Sequence, residues 1–309
     1  MDNLDVVAMK LVQTGKGIFA ADASPETLGK RFAAVGLTVT ESADRLRYRL
    51  MTVVTNGLSE YVSGVILHDE AFSNDQIRQA LTDQGICLGI KVDGGLKDGL
   101  TLGLETLQMR LPVYKKTGAV FCKWRAVFEA GAKINIANIE NLALYAKKCQ
   151  ENGLVPVVEP EVLWEKGMDV DVYSRTTSEV IAKVFEKMFD AQVRLEGIVF
   201  KPNMVVGLTA DDTARRTVEV MGRGVSVAVP GIAFLSGGQD PIQATENLNA
   251  INKLGAGPWK MTFSFERAIE GPAMEVWGGR DENNALAQEK ILHRTRMNSL
   301  ASEGKYLGE

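Results

Sequence analysis

The fold is decided by one stretch of sequence, which reads AVFCKW at residues 119–124, continues through an amphipathic segment at Ile136–Asn152, and resumes with LVPVV at residues 154–158. The short apolar runs predict buried strands, and the longer amphipathic segment predicts a helix. Gly153, directly after that segment, is typical of the end of a helix. This stretch therefore predicts one strand–helix unit followed by the strand of the next unit.

The same alternation extends over the rest of the chain. The predicted strands are Gly17–Ala21, Val62–Leu67, Ile86–Val92, Ala119–Trp124, Leu154–Val158, Gly197–Phe200, Ser226–Leu235 and Lys260–Phe265. Their carboxyl ends lie about 35 residues apart, roughly the length of one β–α unit. Because no linker rich in Pro, Gly or Ser interrupts the series, we predict an α/β fold in which residues 1–309 form a single (β/α)₈ TIM barrel domain. An extra N-terminal helix at Asp2–Thr14 and a last outer helix at Asp281–Ser302 complete it, and a doubly wound open sheet is the alternative.

Composition narrows the function. The chain has 309 residues, of which 45% are apolar and 24% charged, and its net charge is −4. Such a balance gives no general attraction to nucleic acid or to an anionic membrane. The longest apolar runs are too short for a transmembrane helix, and MDNLD at residues 1–5 carries acid where a signal peptide carries Lys or Arg. We therefore expect a cytoplasmic protein with no nucleic-acid or membrane partner.

Cysteine and histidine are too scarce for several kinds of site. The three cysteines, Cys87, Cys122 and Cys149, include no CxxC pair, which disfavours a disulfide framework and a thiolate zinc site. The two histidines, His68 and His293, would both be needed for a metal site built on imidazoles. We therefore expect no metal and a chemistry that depends on lysine and carboxylate groups.

Charged and polar residues stand at, or directly after, the carboxyl ends of the predicted strands. These residues are Asp22, Lys91, Lys123, Arg125, Glu159, Glu161, Lys201, Ser236 and Arg267. Any one of them also fits an ordinary solvated strand end. Because the active site of a TIM barrel lies at the carboxyl ends of its strands, however, the set predicts a pocket that is rich in lysine, arginine and carboxylate groups.

Two lysines in this set suggest an amine nucleophile. Lys201 directly follows one apolar strand, Lys123 lies at the carboxyl end of another, and Glu159 directly follows the strand between them in sequence. A free lysine is almost entirely protonated at neutral pH. Neighbouring cations and partial burial favour the neutral amine, which can attack a carbonyl to form a Schiff base. The three residues thus fit a nucleophile, a neighbouring charge and a general acid, although each lysine alone also fits the edge of a core.

Glycines and arginines suggest phosphate binding. Ser236, Gly237 and Gly238 follow the seventh strand and offer a hydroxyl and backbone N–H groups to an anion. Loops after the seventh and eighth strands of such barrels often bind phosphate. A second basic set, Lys30 and Arg31 with Arg125, fits another phosphate, or else a solvated helix face. LSGGQ at residues 235–239 also matches the signature of ABC-transporter ATPases, but the GxxxxGK[ST] loop that those enzymes require is missing.

Several short motifs occur in the order known from one enzyme family. They are GKG (15–17), AAD (20–22), GIKVD (89–93), KWR (123–125), VEPE (158–161), KPNM (201–204), FLSGGQ (234–239), NLNAIN (247–252) and WGG (277–279). Over Gly15–Tyr306 the chain resembles the class I, Schiff-base-forming fructose-1,6-bisphosphate aldolases. The resemblance implies that the substrate is a phosphosugar, that no cofactor or metal is used, and that the protein is a homo-oligomer, since the family is usually tetrameric.

The resemblance also implies a role for each matching residue. Lys201 is the expected Schiff-base lysine, Glu159 the general acid and base, Lys123 an assisting cation, and Asp22 the group that takes the C4 hydroxyl proton. The residues expected at the C1 phosphate are Ser236, Gly237, Gly238 and Arg267. Those expected near the hydroxyls and the C6 phosphate are Lys91, Arg125, Ser24, Thr27, Lys30 and Arg31.

Three features depart from the pattern of the family. Ala23 replaces a glutamate of the animal enzymes, and Glu266 replaces a glycine whose amide helps to hold phosphate. The sequence ends at Glu309, before the family's mobile tail with its terminal tyrosine; we expect cleavage to survive without that tail, and the group that protonates the enamine is left open. These departures keep a non-catalytic phosphosugar-binding barrel open as an alternative, and another Schiff-base phosphosugar aldolase or transaldolase is the alternative for the exact substrate.

Overall fold

Eight parallel strands close into a barrel in this computed structural model, which describes residues 3–38, 41–255 and 257–309. The strands are β1 (Gly17–Ala21), β2 (Val62–Leu67), β3 (Cys87–Lys91), β4 (Leu96–Lys97), β5 (Leu100–Thr101), β6 (Phe121–Phe128), β7 (Val155–Val162), β8 (Val199–Phe200), β9 (Gly231–Phe234) and β10 (Lys260–Phe265). β4 and β5 pair with each other in an antiparallel hairpin, and the other eight form the barrel. Ile18 of β1 pairs with Ser264 of β10, which closes the barrel. The predicted (β/α)₈ fold is therefore confirmed, and the open sheet is excluded.

Helices surround the barrel. They are α1 (Asn3–Leu11), α2 (Pro25–Ala34), α3 (Ser42–Val53), α4 (Asp69–Phe72), α5 (Asp75–Asp83), α6 (Leu104–Lys116), α7 (Ile136–Glu151), α8 (Val170–Asp190), α9 (Ala210–Gly224), α10 (Pro241–Leu254), α11 (Arg267–Trp277) and α12 (Asn284–Ser302). The extra N-terminal helix is α1, which ends at Leu11 rather than Thr14; its expected first residue, Asp2, lies outside the described residues. Within the described ranges, no helix is both long and apolar enough to span a membrane.

Several strands differ in length from the prediction. β6 and β7 continue past Trp124 and Val158 because the charged residues that follow remain in register, with Arg125 opposite Glu159. The predicted strand at Ser226–Leu235 is shortened to Gly231–Phe234. The first part of the predicted strand forms a turn instead. Pro230, the last residue of that part, has no N–H group to donate to a neighbouring strand.

The amino end of the barrel is filled by apolar side chains. Phe121 of β6 and Leu11 of α1 are fully buried there. A Cβ added at Gly89 would lie 2.2 Å from the Phe121 ring, and one at Gly64 would lie 2.6 Å from Leu11. The two glycines therefore make room for the large side chains that close this end. The carboxyl end of the barrel, in contrast, opens into a polar cavity.

Candidate active site

A cavity of about 1010 Å³ lies at the carboxyl ends of the barrel strands. Every barrel strand ends at its wall. The sequence-predicted residues that line it are Asp22, Ser24, Thr27, Arg31, Lys91, Lys123, Arg125, Glu159, Lys201, Ser236, Gly237 and Arg267. Two further predicted residues, Lys30 and Gly238, do not line it. Residues that are up to 245 positions apart in the chain are thus brought together, as expected for strand ends of a closed barrel.

Four buried residues at the base of the cavity form a continuous chain of ion pairs, called here the lysine cluster: Asp22, Lys123, Glu159 and Lys201. Lys123 Nζ lies 2.7 Å from Asp22 Oδ2 and 3.0 Å from Glu159 Oε2. Lys201 Nζ lies 3.0 Å from Glu159 Oε1. All four residues are at most 4% exposed. Two cations thus face two carboxylates, which leaves no net charge in a site of low dielectric.

The balance of charge sets the protonation of this cluster. Burial raises the pKa of Asp22, but Lys123 and Lys201 outweigh it and bring the pKa to about 2. Burial likewise raises the pKa of Glu159, while Lys123 and Lys201 bring it below its usual value. Burial lowers the pKa of Lys123, and Asp22 and Glu159 raise it well above the usual value. Both carboxylates are therefore ionised at neutral pH, and Lys123 is a permanent cation.

The two lysines differ in their contacts. Lys123 Nζ lies between two carboxylates. Among the described residues, Glu159 is the one carboxylate within ion-pair distance of Lys201. Glu159 is therefore placed to accept a proton from Lys201, whereas Lys123 is held in its charged form. A neutral amine at Lys201 is the arrangement that nucleophilic attack on a carbonyl requires.

Asp22 is positioned by a residue that the sequence analysis did not single out. Arg49 of α3 is 3% exposed. Its guanidinium donates hydrogen bonds to the carbonyl oxygens of Ala21, at 3.2 Å, and Ala23, at 2.8 Å. These bonds hold the backbone on both sides of Asp22. No local pattern marks Arg49, because its partners lie on another element.

Lys91 and Arg125 line the cavity beside the hairpin of β4 and β5, and both have carboxylate partners. Lys91 donates to the side chain of Asp93, and Arg125 donates to Glu161. Asp93 Oδ2 also accepts from the Arg125 backbone N–H at 3.3 Å. Asp93 was missed as a site residue, although its position two residues after Lys91 at a strand end could have indicated it.

The turn after β9 needs both of its glycines. A Cβ at Gly237 would lie 2.5 Å from Glu161 Oε1, and one at Gly238 would lie 2.9 Å from the carbonyl oxygen of Trp164. Gly238 also has a φ of +76°, which favours glycine. Ser236 is buried and lines the cavity with Gly237. Gly238 thus shapes the turn that presents the two lining residues.

The polar residues at the start of α2 lie in two different environments, the cavity and the solvent. Ser24 is the N-cap, and its Oγ accepts from the Thr27 backbone N–H at 3.2 Å. Both residues line the cavity. Lys30 points to solvent instead and forms an exposed ion pair with Glu26 at 2.6 Å. The structure therefore does not bring Lys30 to the other predicted residues.

A second group of charges, called here the arginine cluster, consists of Arg31, Glu266 and Glu270. Arg31 Nη2 donates to Glu266 Oε2 at 2.8 Å, and Arg31 Nη1 lies 3.7 Å from Glu270 Oε2. Glu266 directly precedes Arg267. Arg31 therefore lies on the side of Arg267, whereas the sequence analysis grouped it with Lys91 and Arg125.

Two other residues of the cavity were not predicted as site residues. Ser264 of β10 is 1% exposed, and in the described part of the chain its Oγ has no hydrogen-bond partner. Its position two residues before Glu266 on a strand could have indicated it. His68 Nδ1 accepts from the Glu70 backbone N–H at 3.3 Å, and burial and Arg49 lower the pKa of the imidazole.

Across the described ranges, no three or more His, Cys, Asp or Glu residues are grouped so that they could hold a metal ion.

Comparisons with known proteins agree with this geometry. The family model described as fructose-bisphosphate aldolase class-I matches residues 3–309. Fructose-bisphosphate aldolase 2 of Caenorhabditis elegans is 44% identical, over 100% of this chain and 91% of the relative. The fructose-bisphosphate aldolase of Echinococcus multilocularis is 41% identical, over 100% and 92%. A solved structure of fructose-bisphosphate aldolase from Plasmodium falciparum, in complex with TRAP and a small-molecule inhibitor, has a TM-score of 0.94 at 39% identity and covers 99% of this chain and 96% of its own.

Proposed function

Because the chain belongs to the class I fructose-bisphosphate aldolases, which cleave fructose 1,6-bisphosphate reversibly into dihydroxyacetone phosphate and glyceraldehyde 3-phosphate, we propose that its Schiff base forms on Lys201. The observation that supports this choice is the difference between the two buried lysines. Lys123 is held by two carboxylates, whereas Lys201 contacts Glu159, a group able to take its proton. Residues 1–309 act as one catalytic domain in this proposal.

Glu159 both accepts and returns a proton during imine formation. Glu159 accepts a proton from the Lys201 ammonium, and the neutral amine attacks the C2 carbonyl of the ketose. Glu159 then returns a proton to the carbinolamine hydroxyl, which leaves as water and gives the protonated imine. Lys123, whose Nζ is 3.0 Å from Glu159 Oε2, stabilises the carboxylate form and so favours the return of that proton.

Cleavage uses Asp22. Its carboxylate accepts the proton of the C4 hydroxyl, and the electrons of the C3–C4 bond move into the iminium, which becomes an enamine. The aldehyde half is released as glyceraldehyde 3-phosphate. Protonation of the enamine at C3 and hydrolysis of the resulting imine release dihydroxyacetone phosphate. Because Lys123 lies 2.7 Å from Asp22, the carboxylate is held in its ionised form before the substrate arrives.

The predicted basic and hydroxyl residues of the cavity bind the two phosphates and the sugar hydroxyls in this proposal. We assign the C1 phosphate to Ser236, the Gly237 amide and Arg267, with Arg31 beside them. The hydroxyls and the C6 phosphate are assigned to Lys91, Arg125, Ser24 and Thr27. Gly238 contributes through the shape of its turn. Lys30 is too exposed to serve in the resting geometry.

Borohydride trapping tests the proposal. Protein is incubated with dihydroxyacetone phosphate and EDTA, reduced, and digested for peptide mass mapping. We expect an adduct on Lys201 that disappears in Lys201→Met. The matched variant Lys123→Met removes the other buried lysine and should still form the Lys201 adduct, more slowly. An adduct on Lys123, or no adduct in folded protein, would overturn the assignment.

We further propose that the protein works in the cytoplasm as a homo-oligomer. An Arabidopsis thaliana relative that is 42% identical is named fructose-bisphosphate aldolase 5, cytosolic. Large apolar side chains that an assembly could cover are exposed at Met109, Phe189, Leu208 and Val227. Sedimentation of the purified protein and fractionation of cells would test the two statements separately.

A further inference from the structure

We propose that Glu266 determines substrate affinity as an internal competitor for the substrate phosphate: its carboxylate holds Arg31 in the free enzyme and has to release it when a phosphate binds beside Arg267. The inference rests on the proposed function, because it concerns the phosphate that Ser236, Gly237 and Arg267 bind. It assigns a role to a side chain that takes no part in the imine chemistry.

The position of Glu266 supports the proposal first. Its carboxylate lies at the wall of the cavity, where the side chain is 26% exposed and can be reached by a ligand. Its Oε2 accepts a hydrogen bond from Arg31 Nη2 at 2.8 Å. In the described part of the chain, the adjacent Arg267 forms no ion pair, so of the two neighbouring guanidiniums one is already occupied by an anion of the protein itself.

The charge count supports it next. Glu270, one turn further along α11, is 4% exposed and lies 3.7 Å from the same Arg31. Two carboxylates therefore share one guanidinium. Above about pH 8, where Glu270 is ionised, a phosphate dianion bound by Arg31 and Arg267 would be a third anionic group in this place. Like charges at such short range repel strongly where water is scarce, so the phosphate must displace Glu266 or bring a proton with it.

The hydrogen bonding of the arginine cluster is incomplete. Among the described residues, Glu266 Oε1 and Arg31 Nη1 are buried atoms without a hydrogen-bond partner. A partly satisfied buried cluster gains less from its present geometry than a satisfied one. A phosphate has several acceptor oxygens and could bind the Arg31 Nη1 that Glu266 leaves without a hydrogen bond. Arg31 can therefore exchange Glu266 for a phosphate without losing hydrogen bonds.

Proton uptake follows from the same surroundings. The charged or titratable groups that act on the Glu270 carboxyl are Glu266 at the N-cap of α11, Arg31 on α2, Tyr48 and Arg49 on α3, and Asp22 after β1. Lys290, His293 and Arg294 of α12 line a second cavity together with Glu270. Burial and Glu266 raise the pKa of Glu270 to about 8. The arginine cluster thus gains or loses a proton in the range in which the enzyme binds its substrate, and a phosphate that adds negative charge favours the protonated form. Phosphate binding should accordingly weaken as the pH rises through about 8.

The test compares four proteins. The wild type, Glu266→Gln, Glu266→Gly and the control Glu275→Gln are assayed with fructose 1,6-bisphosphate between pH 6.5 and 9. Glu275 lies on α11 but is exposed and, among the described residues, forms no ion pair with Arg31, so its variant removes an equal charge without freeing that guanidinium. For both Glu266 variants we expect KM to fall about tenfold at pH 8–9, which corresponds to about 1.4 kcal/mol, with kcat changed by less than about threefold.

Inorganic phosphate provides a readout that does not depend on catalysis. Its dissociation constant, measured by calorimetry, should fall in parallel with KM in Glu266→Gln and Glu266→Gly, and should stay within about twofold in Glu275→Gln. If the wild type forms the Lys201 adduct but both constants are unchanged or raised in the Glu266 variants, the inference is wrong and the proposed function stands. If no adduct forms, the proposed function is wrong, and phosphate calorimetry still decides the role of Glu266. The glycine variant serves if the glutamine variant does not fold.

Discussion

The lysine cluster and the arginine cluster lie at the same end of the barrel and differ in their balance of charge. In the first, Asp22 and Glu159 face two lysines. In the second, Glu266 and Glu270 share Arg31. Asp22 and Glu270 are each 4% exposed, yet the pKa of Asp22 is lowered to about 2 while that of Glu270 is raised to about 8.

The difference teaches that the balance of nearby cations and carboxylates, rather than burial alone, decides the direction of these shifts. Burial raises the pKa of both carboxyls. Two ammonium groups near Asp22 overcome that effect, whereas Arg31 and Arg49 near Glu270 are offset by Glu266 and Asp22. The balanced cluster keeps both carboxylates ionised before the substrate arrives, so that Glu159 can accept the Lys201 proton and Asp22 the proton of the C4 hydroxyl. The unbalanced cluster is poised to exchange a proton or an anion.

The largest expected effect follows from replacing the nucleophile without changing the charge. Lys201→Arg keeps the cation beside Glu159 but cannot form an imine, so we expect kcat to fall by about 10⁴-fold or more, the scale on which removal of a nucleophile acts. The thermal midpoint should change little, because the lysine cluster stays balanced. A coupled aldolase assay and circular dichroism measure the two quantities, and Lys187→Arg on the surface is the control. Substantial activity in Lys201→Arg would assign the imine to another residue.

Removing Lys123 should convert the balanced cluster into an unbalanced one. Lys123→Met leaves Asp22 and Glu159 with Lys201 alone, and breaking a buried ion pair in this way lowers the free energy of unfolding by about 3 kcal/mol. The carboxyl pKa values should rise, so the native state binds more protons than the unfolded chain, and the loss is greater at pH 8 than at pH 5. Guanidinium unfolding at both pH values measures it, with Lys187→Met as the control. An equal loss at both pH values would mean that the cations do not set the protonation of the cluster.

The smallest effect is expected when the surplus carboxylate is removed. Between its usual pKa of 4.5 and its raised pKa of about 8, the Glu270 carboxyl is protonated in the native state and ionised in the unfolded chain. Wild-type stability contributed by this group therefore falls as the pH rises through that window. Glu270→Gln should gain up to about 1.4 kcal/mol over the wild type for each pH unit within that window. Urea unfolding measures the difference, and Glu275→Gln should show none. A gain that is the same at every pH would contradict the raised pKa.

Local pattern was sufficient for the architecture and for much of the cavity. The alternation of apolar runs with amphipathic stretches predicted the eight barrel strands, and the residues that follow them predicted Lys123, Glu159 and Lys201 as neighbours. Strand lengths were less accurate, since β6 and β7 continue through charged residues that face the cavity. Lys30 was grouped with the site because it forms a basic set with Arg31 and Arg125 and matches the family's pattern, but its side chain points to solvent.

The sequence by itself determined which elements form and which side chains stand at the strand ends. The spacing of apolar residues, and the identity of the residue that follows each apolar run, can both be read from neighbouring positions in the chain. Only the tertiary structure decided which charges meet. Arg31 and Glu266 are 235 residues apart and pair because the closing of the barrel brings the helix after β1 beside the end of β10. The pKa of each buried group depends on the sum of such long-range contacts, and that sum exists only once the chain has folded.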